Sequence, residues 1–201
     1  MSINVVKSGV GNIGSIIRVI NDLEYSVNII DDPDKFNLTK KIILPGVGSF
    51  DSFIDSLKKN NLNNKIQDLV INHNYSILGI CVGMQALFDS SEEGSKKGLG
   101  FFKHRCKKFD STIRKVPHIG WNKIKEKKEN DLFSNIKKKY FYFAHSFYVK
   151  EINENYVTST TEYSCEFVSS ISYKNIYGVQ FHPEKSFDQG QKVIKNFIEK
   201  C

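Results

Sequence analysis

Two hydrophobic patterns alternate along the first half of the chain. Short runs that are mostly apolar predict strands at residues 3–7, 27–30, 41–45 and 76–80. Longer segments whose apolar residues recur every three or four positions predict helices at residues 12–23, 50–59 and 62–73. Strands that alternate with helices are typical of βαβ units, in which helices cover both faces of a parallel sheet.

The second half changes to strand-like segments with few helices between them. A helical pattern over residues 187–200 follows the last of them. The strand-like segments are residues 106–109, 121–125, 140–150, 155–160, 165–172 and 175–181. We therefore predict a mostly parallel sheet with an added antiparallel portion. Because the sequence shows no repeat, low-complexity segment or convincing linker, residues 1–201 are expected to form one domain.

The composition is that of a globular protein with a sizeable core, because 40% of the 201 residues are hydrophobic and 25% are charged. The formal net charge is +7, and the lysines that carry most of it are spread out, with a local excess between Lys123 and Lys139. Nucleic-acid binding favours a compact basic stripe on a known reading motif. The sequence has no such motif, so we expect no nucleic-acid partner; a solvated surface or a protein partner with an acidic face explains the charge better.

The four cysteines are scattered and lack the paired spacing of a zinc site or a disulfide framework. We expect neither a metal nor a cofactor. The first residues lack the charged and apolar segments of a signal peptide, and no stretch approaches the ~18 apolar residues that span a membrane. The expected location is therefore the cytoplasm, without a membrane contact. Thiols stay reduced there, which permits a reactive cysteine.

Cys81 lies in the stretch GICVG, residues 79–83, between a predicted strand and a predicted helix. Gly79 and Gly83 permit a sharp turn, so the pattern matches the strand–turn–helix arrangement that exposes a nucleophile. The N-terminus of the helix supplies partial positive charge, which lowers a thiol pKa and favours the thiolate. The alternative is a small buried cysteine at the end of a strand.

A cysteine nucleophile needs a base, and His182 is the candidate among five histidines. The residue before a proline favours extended backbone, in which residues two apart project to one side, so Glu184 can orient the imidazole. If strands 76–80 and 176–181 are parallel, both end at the carboxyl edge of the sheet, where open α/β sheets bind ligands. The alternative is a His-Pro turn beside a solvated glutamate.

The glycine-rich stretch LPGVGSF, residues 44–50, follows another apolar strand. Its glycines free the backbone to direct N–H groups into the same site. Acyl transfer needs such donors for an oxyanion, and the N–H of Val82, directly after the nucleophile, is a second candidate. Alone the stretch is only a loop; its position after a strand in the α/β pattern supports the functional interpretation.

Together these residues resemble the class I glutamine amidotransferases, whose triad is Cys…His-x-Glu. Within that family the chain is similar to the glutaminase subunits of imidazole glycerol phosphate synthases. The most specific stretch is VPHIGWN, which other class I glutaminases lack. The matching stretches are GVGNIGSI (9–16), LPGVGSF (44–50), GICVGMQALF (79–88), SSEEG (90–94), GLGFF (98–102), VPHIGWN (116–122), FAHSF (143–147) and GVQFHPEKS (178–186).

The resemblance implies a role for each matching position. Cys81 is the implied nucleophile, His182 the base and then the acid, and Glu184 the residue that orients it. The implied oxyanion hole comprises Gly46, Val47, Gly48 and Val82. The implied glutamine pocket comprises Gln85, Glu93, His145, Ser146 and Phe147. The implied face toward the synthase subunit comprises Pro117, Ile119, Trp121 and Lys185.

The resemblance also implies a fold and an activity. The fold is a three-layer α/β/α sandwich of flavodoxin-like type. The activity is hydrolysis of L-glutamine to glutamate and ammonia through a cysteine thioester. The implied partner in a heterodimer is a (β/α)8-barrel cyclase subunit, which uses the ammonia to make imidazole glycerol phosphate in histidine biosynthesis.

The main alternative is a paralogue that supplies ammonia to a sister barrel protein in surface-polysaccharide sugar synthesis, because it would keep the same triad. Ile119, where the family usually has Met, leaves the identity of the partner open. The stretch VPHIGWN argues against a peptidase of the same superfamily and against a glutaminase of another synthase. The intact triad argues against a non-catalytic binding module.

Overall fold

The computed structural model describes residues 1–9, 11 and 13–201. Its α-helices are α1 Gly14–Asp22, α2 Phe50–Lys59, α3 Leu62–Asn72, α4 Val82–Gln85 and α5 Phe187–Lys200. Its strands are β1 Ser2–Val6, β2 Ser26–Ile30, β3 Lys41–Gly46, β4 Ser76–Cys81, β5 Phe88–Ser91, β6 Phe102–Lys108, β7 His118–Lys123, β8 Lys125–Glu126, β9 Tyr140–His145, β10 Phe147–Tyr148, β11 Val157–Glu162, β12 Glu166–Tyr173 and β13 Ile176–Val179.

An eight-stranded sheet, in the order β2-β1-β3-β4-β13-β12-β11-β8, forms the centre of the described structure. The strands from β2 to β13 run parallel, and β12, β11 and β8 are antiparallel to their neighbours. β1, β3 and β4 are buried along nearly their whole length, as expected for parallel strands covered on both faces. The predicted three-layer α/β/α fold with an added antiparallel portion is confirmed.

The helices of the first half lie close to their predicted positions. α2 spans the predicted residues 50–59, and the Ser49 side chain caps it by accepting a hydrogen bond from the Ser52 N–H at 3.4 Å. α3 ends one residue before the predicted boundary at His73. α1 is shorter than the predicted 12–23; Asn12, like Val10 of the stretch 9–16, lies outside the described residues.

The second half differs from the prediction most where one segment is divided between two strands, and β6 also begins four residues before the predicted 106–109. The strand-like segment 140–150 divides at Ser146 into β9, which pairs with β7, and β10, which pairs with β6. The segment 121–125 is likewise divided between β7, which pairs with β9, and β8, which pairs with β11. In both places the strand is divided because its two parts pair with different neighbours. The predicted helix 187–200 matches α5. No helix in the described part of the chain is both long and apolar enough to cross a membrane.

Candidate active site

The position of the predicted nucleophile is a sharp backbone turn between β4 and α4. Cys81 forms the turn itself, with φ 55° and ψ −112°, a region that is unfavourable for a residue with a side chain. Gly83 permits the close packing around it, since a Cβ there would lie 1.9 Å from the Leu44 carbonyl oxygen. The turn places the Cys81 side chain at the carboxyl edge of the main sheet.

His182 reaches Cys81 from the neighbouring strand. β13 pairs in parallel with β4, with Val179 opposite Ile80, so the two strands end at the same edge, as predicted. His182 lies just beyond β13, and its imidazole lines the same cavity as Cys81. Glu184 Oε1 lies 2.7 Å from His182 Nδ1. The fold thus brings together three side chains that are far apart in the sequence.

Glu184 meets His182 through a turn and not through the extended alternation predicted from the sequence. His182 itself is extended, with φ −98° and ψ 96°, but Pro183–Lys185 forms a 3₁₀ turn that returns Glu184 to the imidazole. The Ser186 hydroxyl holds this turn against β9. It donates to the His182 carbonyl oxygen at 2.6 Å and accepts from the Tyr142 N–H at 3.0 Å.

Burial and charge act in opposite directions on His182. Burial disfavours the imidazolium, but the neighbouring Cys81 thiolate and the Glu184 carboxylate favour it more strongly and raise the pKa of His182 to about 10. His182 is therefore an imidazolium at neutral pH, and it can supply a proton to a leaving group.

A buried amide that the sequence did not single out also contacts the sulfur. Gln180 Nε2 lies 3.8 Å from Cys81 Sγ, and Gln180 Oε1 accepts a hydrogen bond from Gln85 Nε2 at 3.1 Å. Gln85 Nε2 in turn donates to the Phe147 carbonyl oxygen at 2.9 Å. Because a carbonyl oxygen only accepts, the Gln85 amide is oriented by Phe147, and Gln180 therefore presents its N–H to the sulfur. The available signal was its position two residues before His182.

A cavity of about 330 Å³ opens beside Cys81 and His182. Of the predicted site residues, it is lined by Val47, Gly48, Val82, Gln85, Glu93, Pro117, Ile119, His145, Ser146, Phe147 and Lys185. Gly46, Trp121 and Glu184 do not line it. A Cβ at Gly46 would lie 2.2 Å from the Gly83 nitrogen, so this residue serves the close contact between β3 and α4. The cavity therefore joins the predicted glutamine pocket to part of the predicted partner face.

Glu93 connects the cavity wall to the start of α2. Its Oε2 accepts a hydrogen bond from the Phe50 N–H at 2.8 Å, directly after the glycine-rich loop that holds Val47 and Gly48. Burial raises the pKa of the Glu93 carboxyl group, and the hydrogen bond from Phe50 opposes this effect. A carboxylate at the cavity wall provides an acceptor for the amino group of an amino acid.

The predicted partner face is an exposed apolar surface at the mouth of the cavity. Ile119 is 62% exposed and Trp121 is 44% exposed. The Trp121 ring stacks on Phe187 with centroids 5.2 Å apart, and Lys185 Nζ lies 5.7 Å from the centroid of the Tyr142 ring. Phe187, which is 74% exposed, was not predicted. Large exposed apolar side chains grouped in this way are typical of protein-binding surfaces.

Comparison with protein families gives one match that spans nearly the whole chain. The family model described as "Glutamine amidotransferase class-I" matches residues 4–201. The relatives include imidazole glycerol phosphate synthase subunit HisH 2 of Methanococcus maripaludis, which is 44% identical, with 99% of this chain and 100% of that protein covered. The HisH subunit of Leptospira borgpetersenii is 41% identical, with 97% and 98% covered.

Solved structures show the same fold at lower identity. A structure described as a glutamine amidotransferase has a TM-score of 0.78 and 12% identity, with 98% of this chain and 97% of that chain covered. The structure of PurLQS from Thermotoga maritima has a TM-score of 0.75 and 18% identity, with the same coverage. At these identities the likeness concerns the fold alone.

Proposed function

This chain belongs to the class I glutamine amidotransferases, and from that premise we propose that it is the glutaminase subunit of an imidazole glycerol phosphate synthase. The observation that carries the proposal is the placement of Cys81, at its strained turn, in one cavity with a histidine that Glu184 orients. The relatives named as HisH subunits are matched over nearly their full lengths, which supports the choice of synthase.

The first chemical step is attack on the side-chain amide of L-glutamine. The Cys81 thiolate adds to the amide carbon, and the resulting oxyanion is stabilised by backbone N–H groups at Val82 and in the loop of Val47 and Gly48. His182 then gives its proton to the departing nitrogen. The C–N bond breaks, ammonia leaves, and the glutamyl group remains on the sulfur as a thioester.

The second step releases glutamate. His182, now neutral, takes a proton from a water molecule, and the hydroxide attacks the thioester carbonyl. The C–S bond breaks, which returns the thiolate and the imidazolium to their first state. Gln85, Glu93 and the backbone of Ser146 and Phe147 hold the amino-acid end of the substrate during both steps.

The ammonia is used by a synthase subunit that covers the cavity mouth. We propose a (β/α)8-barrel cyclase as this partner, docked on Pro117, Ile119, Trp121 and Lys185. Ammonia is mostly protonated, and hence not nucleophilic, in open water at neutral pH. A partner that seals the cavity mouth keeps it unprotonated on the way to the acceptor. Because the pathway and its metabolites are intracellular and the four cysteines are free, we place the enzyme in the cytoplasm.

The decisive experiment uses the reconstituted complex of the chain with the cyclase. Cys81→Ser should abolish glutamine-dependent synthesis of imidazole glycerol phosphate and leave synthesis from ammonium salts unchanged. A glutamine analogue with an electrophilic carbon should label Cys81 and spare Cys106. Retained glutamine-dependent synthesis in Cys81→Ser would contradict the assignment of the nucleophile.

A growth experiment distinguishes the histidine pathway from the surface-polysaccharide alternative. A strain that lacks this chain should need histidine, and the plasmid-borne gene should restore growth. Normal growth without histidine, together with a surface polysaccharide that lacks an amino or amidino group, would support the paralogue.

A further inference from the structure

Two buried histidines lie outside the triad and face each other across the ribbon formed by β7 and β9. His118 and His145 are directly opposite in the strand register, and both are less than a tenth exposed. His118 Nδ1 lies 3.1 Å from His145 Nε2. When two buried neutral imidazoles are hydrogen-bonded, one ring donates and the other accepts. The other hydrogen-bond partners of each ring therefore show which tautomer it adopts.

The pocket end of this pair fixes the direction of every bond. His145 Nδ1 lies 2.8 Å from the Phe147 carbonyl oxygen. A carbonyl oxygen only accepts, so His145 carries its hydrogen on Nδ1 and accepts on Nε2. His118 consequently donates from Nδ1, and in its neutral form it accepts on Nε2.

The outer end gives the same direction independently. Asn122 Oδ1 accepts from the Lys123 N–H at 2.8 Å, which orients the amide, and Asn122 Nδ2 donates to the Glu162 carbonyl oxygen at 2.8 Å. The second hydrogen of Nδ2 points to His118 Nε2, at 3.3 Å. The bonds therefore run in one direction, from Asn122 through His118 and His145 to the Phe147 carbonyl.

Both rings are neutral at physiological pH, as this order requires. Burial lowers the pKa of His118 to about 4, with Arg114 as a second cause. Burial lowers the pKa of His145 to about 3, although its bond to Phe147 opposes the effect. The His118 ring is also fixed sterically, because it stacks on Tyr163 with centroids 4.1 Å apart.

The chain of bonds connects two surfaces with different tasks. β7 presents Ile119 and Trp121 on its exposed face, and His118 and Asn122 lie on the other face. At the far end, the Phe147 carbonyl that accepts from His145 also accepts from Gln85. Gln85 continues through Gln180 to Cys81 Sγ.

We propose that Asn122, His118 and His145 are positioning residues, which set the Phe147 carbonyl and Gln85 for glutamine binding according to the position of the docking strand β7. This inference rests on the proposed function. It explains why His118 and Asn122 stand beside Ile119 and Trp121 in one stretch, VPHIGWN: alternate residues of a single strand contact the partner and hold the pocket.

Steady-state kinetics of the complex with the cyclase test the proposal. His118→Phe keeps a flat ring in the stack but removes the bond to His145, and it should raise the KM for glutamine about tenfold with little change in kcat. His118→Asn, whose δ-amide can donate from nearly the position of Nδ1, should recover most of the loss. The matched control is His104→Phe in β6, where the histidine packs on Phe88; its KM should match the wild type.

Nitrogen NMR of the imidazole rings in the wild-type isolated chain tests the bond order without any activity. Both histidines should be neutral with the hydrogen on Nδ1, and a hydrogen on Nε2 of either would overturn the proposal. So would an unchanged KM in His118→Phe beside an active wild type, which would leave the proposed function intact. A wild-type complex that fails to hydrolyse glutamine would instead refute the proposed function and this inference with it.

Discussion

At the scale of single residues, the four cysteines differ because their surroundings differ. Burial raises the pKa of the Cys106 thiol, with Glu93 as a second cause, and burial raises the pKa of Cys201 to about 11. Cys81 alone was predicted as a nucleophile, because the pattern of two glycines around a cysteine between a strand and a helix is local. Gln180 was not predicted, because its place two residues before His182 is only a weak signal and its role depends on the Gln85 amide that the Phe147 carbonyl orients.

The raised pKa of His182 predicts an unusual pH dependence for the alkylation of Cys81. The imidazolium should persist until the pH passes the pKa of His182, about 10, so alkylation by iodoacetamide should change little between about pH 7 and pH 9. In His182→Asn the rate should be lower at neutral pH and rise with pH, as for an ordinary thiol. Mass-spectrometric quantification of labelled Cys81 measures the rate of alkylation. A rate that rises steeply with pH in the wild type would contradict an ion pair between Cys81 and His182. The raised pKa of His182 also stabilises the folded chain. This contribution to the free energy of unfolding is complete below about pH 6.5, the ordinary pKa of histidine, and it declines as the pH rises toward 10.

Gln180 offers a second prediction at this scale. Gln180→Leu removes the N–H beside the sulfur, so the thiolate loses a donor and kcat for glutamine hydrolysis should fall about tenfold. A suitable control is Asn196→Leu in α5, which removes a buried amide that donates to the Leu132 and Ser134 carbonyls. This control should lower stability and keep kcat. Equal losses of kcat in the two variants would show that the loss of any buried amide lowers kcat, and that the N–H of Gln180 has no specific role beside the sulfur.

At the scale of elements, the helices were predictable and the pairing of the later strands was not. The apolar spacing of α2 and the Ser49 cap are local features, so the sequence alone fixes its start. The run 140–150 is rich in aromatic residues on both sides of Ser146, and nothing local shows that β9 and β10 join different sheets, because pairing partners decide strand limits. The 3₁₀ turn after His182 escaped prediction for the same reason: Ser186 and Tyr142 hold it, and they are distant in sequence.

Removing the Ser186 hydroxyl should loosen the turn that carries the triad. Ser186→Ala leaves the partly buried Tyr142 N–H without its acceptor, which should lower the free energy of unfolding by about 1–3 kcal/mol and reduce kcat. Urea denaturation and glutaminase assays measure the two effects. Ser134→Ala, which removes the acceptor of a bond from Lys200, is the control and should change stability by less than about 0.5 kcal/mol. A similar change in both variants would mean that the hydroxyl does not hold the turn.

At the scale of the whole molecule, the active site lies where the parallel and antiparallel halves of the main sheet meet. β13 is parallel to β4 and antiparallel to β12. The sequence predicted both halves and their order of appearance along the chain. It did not predict the lateral order of strands, which depends on how the helices and the added strands share the two faces.

The neutral pair His118 and His145 should make the whole fold sensitive to acid. Both pKa values are lowered, to about 4 and about 3, so below pH 6.5 the unfolded chain binds protons that the folded chain does not. Stability should therefore fall as the pH drops from about 6.5 toward 4, by roughly 2 kcal/mol per histidine at pH 5. Thermal unfolding across this range, with His118→Phe for comparison, measures it. A wild type and a variant with the same acid dependence would contradict the neutral state of His118.

The central place of β13 has a consequence for how the chain acquires its shape. β13 is the last strand in the described structure, yet it fills the gap between β4 and β12. Before it docks, β4 is an apolar edge with unpaired N–H and C=O groups, which is a template for aggregation. Pairing between such distant segments is slow, because the entropy of closing the intervening loop must be overcome first. The docking of β13 covers this edge and also brings His182 to Cys81. A refolding chain should therefore lose its tendency to aggregate and gain its complete triad in the same step.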